Sequence, residues 1–363
     1  MVDKTRVLVF RIGSLGDTCV AIPSFNLIRM SFKNSDIRVL TNFPIGNGIK
    51  AAPLKLVLGE SGLVDDYFEY PVYGQGSQFN FIRCAIELRK WSPDVLVYLV
   101  SKRTRLQALR DFVFFRCLIG IPRMVGLSLN YKVSEHKWDE ARQLYESESS
   151  RLVRSLAQLG EINLSEQSIS NLGLQASEIK RAVELLENWE GSNNYIACSI
   201  GTKRDLNDWE ELRWVEWVEV IARDYPQLGL VFVGVSVEFE RSERMLKHWQ
   251  GPALNLCGKL TPRESAEILR CARGFVGHDS GPMHLAAAMG TQCVAIFSGR
   301  CKPGIWFPFG EHHEVLYHKT DCFGCNLEVC EKFQKKCIRS ITVYEVVKAT
   351  KLMLSRTEKW NEN

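Results

Sequence analysis

Residues 274–290 read GFVGHDSGPMHLAAAMG, an apolar segment followed by a polar, glycine-rich segment and then an alanine-rich one. The first segment is typical of a buried strand and the last of a helix. Ser280 and Gly281 suit the exposed start of that helix, where unpaired backbone N–H groups bind anions such as a diphosphate. His284, one turn further on, could donate to a phosphate oxygen beside Asp279. The alternative is a simple capped helix with Asp279 or Ser280 as its N-cap.

The same pattern of strand, loop and helix recurs on the N-terminal side of this stretch and after it. Strand patterns occur at residues 6–10, 37–41, 94–99, 123–126, 195–199, 229–234 and 294–297. Helical patterns separate most of them, which favours an α/β fold with parallel sheets. They include helices at 20–31 and 147–159 and one that opens at Thr261, with Glu264 at the capping-box position. A polar stretch at 160–173 interrupts the series. We therefore predict two Rossmann-like domains facing each other across a cleft, at residues 1–175 and 176–342, with a terminal helix in 343–363.

A second glycine-containing loop, Gly13-Ser14-Leu15-Gly16-Asp17, follows the first strand. Gly13 and Gly16 permit a tight turn and close backbone approach. In open parallel sheets such a loop lies where ligands bind. Asp17 could therefore serve as a general base, or it could be a first-turn acid that only complements the helix dipole.

Two loops of the second half carry charges that suit a nucleotide. Thr202, Lys203 and Arg204 follow one strand, and the two cations could neutralise a diphosphate leaving group or form a solvated basic loop. Glu238 follows the next strand and could accept hydrogen bonds from a ribose, as acids do in dinucleotide-binding folds. The alternative for Glu238 is an ordinary surface glutamate.

Four late cysteines, Cys322, Cys325, Cys330 and Cys337, form a cluster in the sequence. They could hold a structural zinc ion, remain reduced side by side, or form a disulfide. We assign them no catalytic role. Most of the other cysteines lie in apolar segments, which indicates a reducing, cytoplasmic compartment.

Composition limits the class of protein. The 363 residues suffice for about two domains, and a net charge of +4 is too mild for a dedicated nucleic-acid binder. The patch at 112–121 is too short to span a bilayer, which takes about 20 apolar residues, so we expect contact with a membrane to be peripheral at most.

Taken in order along nearly the whole chain, these motifs resemble glycosyltransferase family 9, the heptosyltransferases that build the inner core of lipopolysaccharide. The resemblance rests on the loop at 13–17 with Pro23, on Cys257-Gly258-Lys259-Leu260, on 277–290 and on the late cysteines. It implies a GT-B fold, with the acceptor bound mainly by the first domain and the nucleotide-sugar by the second. The C-terminal helix would cross back onto the first domain.

The resemblance also implies inverting transfer without a metal or other cofactor, from a nucleotide-sugar donor, ADP-heptose above all, to a glycan or glycolipid acceptor. It assigns a role to each matching residue: Asp17 as base, Ser280, Gly281 and His284 at the diphosphate with Asp279 in the same site, Thr202 in the donor loop, Glu238 at the ribose, and Leu260 against the nucleobase.

One position departs from the family. A lysine is usual two residues before the tryptophan that closes the donor loop, and here Asn207 precedes Trp209. Lys203 or Arg204 could supply the charge. Two other functions remain open: transfer of a different sugar to a glycan or a protein, and nucleotide binding without catalysis. The segments at 36–48 and 70–80, expected to face the acceptor, do not identify it.

Overall fold

The computed structural model describes residues 4–42, 53–70, 77–101, 103–164, 171–187, 189–191 and 194–358. The chain divides into two compact units. The first consists of Met1–Trp138 and Glu146–Gly173, and the second of Asp139–Tyr145 and Leu174–Asn363.

The first unit is built on a parallel sheet. Its strands are β1 (Arg6–Phe10), β2 (Asp36–Thr41), β3 (Asp66–Glu69), β4 (Val95–Tyr98) and β5 (Arg123–Val125). Its helices are α1 (Leu15–Cys19), α2 (Ile22–Ser31), α3 (Leu54–Leu58), α4 (Ser77–Trp91), α5 (Arg105–Val113), continued by a π-helical turn (Phe114–Ile119), and α6 (Glu148–Ser155). Within the described residues the strand order is β3-β2-β1-β4-β5. The order reverses direction between β1 and β4, the place where open sheets bind ligands.

A short ladder, β6 (Trp138–Asp139) with β7 (Leu144–Tyr145), precedes α6. The second unit then repeats the architecture of the first. Its strands are β8 (Tyr195–Ser199), β9 (Gly229–Phe232), β10 (Ala253–Asn255), β11 (Gly274–His278), β12 (Cys293–Phe297) and β13 (Glu314–Tyr317). Its helices are α7 (Ala176–Glu187), α8 (Glu211–Asp224), α9 (Phe239–Leu246), α10 (Pro262–Cys271), α11 (Gly281–Ala288), α12 (Lys336–Arg339) and α13 (Val343–Glu358). The described strands are parallel, in the order β10-β9-β8-β11-β12-β13, with the switch point between β8 and β11.

Apolar strands explain where each core lies. Every residue of β8, β11 and β12 is buried, because helices cover both faces of a parallel sheet. On one face Trp209, Trp214 and Trp217 are fully buried, with edge-on ring centroids 5.1 and 5.6 Å apart. Trp217 donates from its indole to Thr350 on α13 at 3.1 Å. The terminal helix therefore belongs to the core of the second unit; whether it also reaches the first domain remains a prediction.

The strand predictions are largely confirmed, and the helix expected at 20–31 is α2 (Ile22–Ser31), with Pro23 in its first turn. The short helix α1 (Leu15–Cys19) lies ahead of it, partly in the segment predicted as a loop. The helix expected at 147–159 ends as α6 at Ser155, followed by a 3₁₀ turn. The predicted capping box of α10 is confirmed, since the Thr261 hydroxyl accepts from Glu264 N at 3.2 Å while Glu264 accepts from Thr261 N at 2.7 Å.

Among the described residues, none of the helices has both the length and the hydrophobicity needed to cross a bilayer.

Gly126 is a sensitive position of the first unit. Its φ is +82°, and a Cβ atom there would lie 2.8 Å from the carbonyl oxygen of Tyr98 and 3.1 Å from Leu156 Cδ2. We expect Gly126→Ala to lower the free energy of unfolding by at least about 2 kcal/mol, because strained backbone and steric overlap add. Gly120 is the control, with φ +89° and no described atom within 4 Å of its Cβ position. Gly120→Ala should cost about 1 kcal/mol in urea unfolding; equal losses would contradict the steric argument.

Candidate functional site

The predicted donor-binding residues meet at the carboxyl-terminal ends of the strands of the second sheet, which we call its carboxyl edge. Strands β10, β9, β8 and β11 are neighbours and run parallel, so their carboxyl ends lie side by side. The loops that leave these ends carry, in the same order, Leu260, Glu238, the run from Thr202 to Arg204, and the segment from Asp279 to His284. The structure therefore brings these residues to a single edge of one unit, next to the switch point.

The start of α11 contains polar atoms without partners. Ser280 is its N-cap in an extended conformation, and its hydroxyl makes no capping hydrogen bond. The Ser280 Oγ and His284 Nδ1 atoms are both buried and have no hydrogen-bond partner among the described residues. On its other side His284 Nε2 lies 3.8 Å from Asp279 Oδ1. Because backbone N–H groups at a helix start favour anions, these two polar atoms are suited to contact an anionic ligand.

His278, the last residue of β11, has a structural role that the sequence analysis did not assign. It is fully buried, and its Nε2 accepts a hydrogen bond from the backbone N–H of Trp209 at 3.0 Å. Burial lowers the pKa of His278 to about 4, so the ring is neutral and can accept. In the sequence, His278 lies at the end of the strand pattern and His284 lies beyond the loop. This difference in position could have distinguished the buried histidine from the one near the helix start.

The donor loop after β8 is ordered by its own hydrogen bonds. Thr202 Oγ1 accepts from Arg204 N at 3.3 Å and donates to Arg204 O at 3.0 Å. Lys203 is exposed, whereas the Arg204 side chain is partly covered. Asn207 is buried, and its Oδ1 accepts from the Ser298 hydroxyl at 2.6 Å. Asn207 thus links the loops after β8 and β12.

Glu238 lies between two glycines. A Cβ atom at Gly201 or at Gly234 would collide with its carboxylate, so only glycine at both strand ends leaves room for it. Its Oε2 accepts from Val235 N at 3.2 Å, and burial raises the pKa of the carboxyl. The acid is therefore placed at the sheet edge by close packing. Leu260, half-buried, belongs to the neighbouring loop after β10.

In the first unit, Asp17 faces its own loop. Its Oδ2 accepts from Ser14 N at 2.8 Å and from Ser14 Oγ at 2.7 Å. A Cβ atom at Gly13 would collide with Asp17 Cβ, which explains that glycine, and Gly13 N donates to Asn42 Oδ1 at 2.9 Å. Gly16 lies inside α1 and accepts through its carbonyl from Val20 N at 3.1 Å. Both hydrogen bonds to Asp17 fall on one oxygen. Its role as a base stays a prediction.

A buried arginine beneath this loop was missed. Arg11 is fully buried and donates to the carbonyl oxygens of Leu99, at 3.1 Å, and of Asp17. Burial lowers the pKa of Arg11, and the carboxylates of Asp17 and, less strongly, Glu148 oppose this. The sequence shows only that Arg11 directly follows a strand. Its burial could have been predicted only by asking which carboxylate neutralises its charge.

Glu148 is the centre of this buried charge cluster. It accepts from Arg151 Nε at 2.6 Å and Nη2 at 2.8 Å, and pairs with His136 Nε2 at 2.9 Å. Burial alone would raise the pKa of Glu148, but hydrogen bonds from Arg151 and His136 outweigh it and hold the pKa at about 2. The cluster lies beneath the loop that carries Asp17, and Arg11 connects the two by donating to the Asp17 carbonyl oxygen.

The four late cysteines line one small cavity together with Leu327 and Phe333. All are unpaired thiols. Within the described residues, no three His, Cys, Asp or Glu side chains are arranged to hold a metal ion. The zinc alternative stays a prediction. The acceptor-facing segments expected at 36–48 and 70–80 fall partly outside the described residues, at 43–48 and 71–76.

We expect Glu148→Gln to lower the free energy of unfolding by about 3–5 kcal/mol, because it leaves Arg151 buried without its counter-charge. Glu211→Gln is the matched control: Glu211 also receives two hydrogen bonds from one arginine, Arg244, but is 40% exposed. It should cost about 0–1 kcal/mol.

The pH dependence of this loss has a defined sign. The folded pKa of Glu148, about 2, is below its usual 4.5, so the stabilisation is complete above pH 4.5 and is lost as pH falls towards 2. The difference between wild type and Glu148→Gln in denaturant unfolding should therefore shrink in acid. A difference that is constant from pH 7 to 3 would contradict the ion-pair account.

Known proteins support the assignment of a family. The profile of glycosyltransferase family 9 (heptosyltransferase) matches residues 123–335, more than half of the chain. Lipooligosaccharide heptosyltransferase 2 of Campylobacter jejuni is 29% identical over 115 residues, which are 31% of this chain and 36% of the relative. The match thus spans about a third of the length of that curated relative.

Two solved structures share the fold. The family 9 glycosyltransferase of Veillonella parvula aligns with a TM-score of 0.67 at 17% identity, covering 98% of this chain and 99% of the other. The E. coli ADP-heptose LPS heptosyltransferase II aligns with a TM-score of 0.68 at 15% identity, covering 98% and 100%. These likenesses confirm the predicted GT-B fold class with two Rossmann-like domains. The chain belongs to glycosyltransferase family 9, the heptosyltransferase family.

Proposed function

We propose that this protein is an inverting glycosyltransferase that moves heptose from ADP-heptose onto a lipopolysaccharide-core or related glycan acceptor. The observation that carries the proposal is the pair of buried, unpartnered atoms, Ser280 Oγ and His284 Nδ1, at the start of α11. They supply two polar contacts for a diphosphate, beside the backbone N–H groups of the helix. Membership of the heptosyltransferase family supports the choice of sugar.

The donor is proposed to lie along the carboxyl edge of the second sheet. Its diphosphate would contact Ser280, Gly281 and His284, its ribose would bind Glu238, and its base would pack near Leu260. This order follows the order of the strands, since β10 and β9 lie on one side of β8 and β11 on the other. The nucleotide is proposed to be ADP because the E. coli protein of similar fold is named an ADP-heptose transferase.

In the proposed reaction, the Oδ1 atom of Asp17 takes the proton of an acceptor hydroxyl, and the hydroxyl oxygen attacks the anomeric carbon of the sugar. The bond from that carbon to the diphosphate oxygen breaks, and its electron pair leaves with the nucleoside diphosphate. Attack opposite the leaving group inverts the anomeric centre. The hydrogen bonds from Ser14 to Oδ2 would orient the carboxylate. The start of α11 would stabilise the departing charge, and no metal or cofactor is needed in this scheme.

The acceptor is proposed to bind the first unit, with a glycolipid meeting the protein at the cytoplasmic face of the membrane through peripheral contact. The twelve cysteines, all within the described residues, are unpaired thiols, and this suits a reducing compartment.

Calorimetric titration with ADP-heptose, ADP, GDP and UDP tests the donor. We expect ADP-heptose and ADP to bind and GDP and UDP to bind at least tenfold more weakly. Stronger binding of GDP or UDP would reassign the enzyme to another sugar. Binding of ADP-heptose without transfer or hydrolysis across an acceptor screen would favour a non-catalytic nucleotide-binding protein.

Asp17→Asn should lower kcat at least about a hundredfold, since general-base contributions are about 10²–10⁴-fold, and should leave the Kd of ADP nearly unchanged. Asn keeps the size of the side chain but cannot take a proton. The measurement is turnover by release of ADP, with the Kd from titration of the same preparation. Turnover within a few-fold of wild type would remove Asp17 from the mechanism.

A further inference from the structure

The proposed diphosphate site needs positive charge, and the usual family position does not supply it. Asn207 stands where the lysine is expected, and its buried amide is bonded to Ser298. A cation that contacts this site must come from a loop next to the start of α11. Two arginines stand out there, Arg204 after β8 and Arg300 after β12, because β8 and β12 flank β11 on its two sides.

Arg300 is held firmly by the segment that contains the late cysteines. It donates from Nε to Leu327 O at 2.6 Å, and its backbone oxygen accepts from Asn326 N at 3.0 Å. The preceding residue, Gly299, accepts from Gly324 N at 2.7 Å. This segment therefore acts as a brace that fixes the direction of the Arg300 side chain.

One carboxylate joins the two arginines. Glu328 accepts from Arg204 Nε at 2.6 Å through Oε2, and from Arg300 Nη2 at 2.9 Å through Oε1. The arginine side chains are 31% and 14% exposed, but that of Glu328 is 67% exposed. The guanidinium groups are thus held in covered positions by a partner that solvent reaches easily.

Arg300 also contacts the residue that follows it, since its Nη1 donates to Cys301 Sγ at 3.4 Å. Burial raises the pKa of the Cys301 thiol and Asp279 raises it further, while the charges of Arg300 and Arg204 oppose this. The pKa of Arg204 is raised chiefly by its hydrogen bond to Glu328, and Asp279 adds a smaller attraction. The charges of both guanidinium groups and of Asp279 therefore act on one thiol in the loop after β12.

We propose that Arg204 and Arg300 form a two-arginine clamp that binds the diphosphate of the donor, and that Glu328 occupies the clamp until the donor displaces it. The inference rests on the proposed nucleotide-sugar function and extends it to Arg300 and Glu328. Exposed carboxylate pairs are weak, whereas guanidinium groups bind phosphate oxygens through paired, charge-assisted hydrogen bonds. When Glu328 leaves, two positive charges face the single carboxylate of Asp279, and a diphosphate at α11 satisfies them.

The test is the affinity of the full-length protein for nucleoside diphosphates, measured by calorimetry with ADP, GDP and UDP, and for adenosine, which lacks phosphate. Arg300→Gln and Arg204→Gln should each weaken the best-binding diphosphate about tenfold or more, as expected for losing a hydrogen bond to a charged group. Binding of adenosine should not change. Glu328→Gln should strengthen diphosphate binding by up to about fivefold, because a competing anion is removed.

Arg356→Gln is the matched control. Arg356 also makes a 2.6 Å ion pair, with Glu314, and its side chain is 38% exposed. Glu314 is the first residue of β13, so this pair lies at the amino-terminal end of the strand, away from the carboxyl edge. Its replacement should leave the affinity for every diphosphate unchanged. Thermal unfolding of each variant checks that the fold is intact, and Arg300→Lys, which keeps the charge but not the paired donors, should fall between wild type and Arg300→Gln.

The outcomes separate the clamp from the proposed function. If a diphosphate binds and the Arg204 and Arg300 variants bind it as tightly as wild type, the clamp is wrong and the function stands. If Glu328→Gln weakens binding, Glu328 is a required support and its displacement by the donor is wrong. If no nucleoside diphosphate binds the wild-type protein, both the function and the clamp are overturned.

Discussion

A single buried hydrogen bond, from the backbone N–H of Trp209 to Nε2 of His278, ties the donor loop to the end of β11. Because burial lowers the pKa of His278 to about 4, the ring stays neutral and keeps its acceptor nitrogen across the ordinary pH range. The next two residues lead directly into α11. The Trp209 indole in turn donates to Ile341 O at 2.9 Å, just ahead of α13. One loop, one strand end and the terminal helix therefore share a common anchor.

Buried polar atoms at the two candidate sites are paired to different degrees, although Arg11 Nε in the first unit also lacks a partner among the described residues. Under the Asp17 loop, the charge of Glu148 is fully paired with Arg151 and His136. Such a cluster supports the backbone above it. At the start of α11, by contrast, Ser280 and His284 keep buried atoms without partners among the described residues. A bound ligand would complete these hydrogen bonds, and this is why we propose that the donor binds at the start of α11.

Much of the fold was predictable because its signals are local. Apolar runs such as Val7 to Phe10 can only be buried strands, and the box from Thr261 to Glu264 fixes the start of α10 to the residue. The short helix α1 was not predictable, because Gly16, Asp17 and Thr18 have low helix propensity and read as a loop. The loops at the second sheet edge could be placed together from the parallel order of strands alone, although the roles of their residues remain predictions.

Partnerships between distant residues were beyond the sequence. Asn207 bonds to Ser298, 91 residues away, and Arg204 to Glu328, 124 residues away. In the sequence, Asn207 therefore looked like a loss of charge that weakened the case for a transferase. In the structure, its amide joins the loops after β8 and β12, the same two loops that carry Arg204 and Arg300. A lysine at this buried position could donate to the Ser298 hydroxyl but would bring a charge that needs a partner. Packing between the two loops therefore explains a neutral residue at 207, and we propose that Arg204 and Arg300, on the two sides of β11, supply the positive charge in its place.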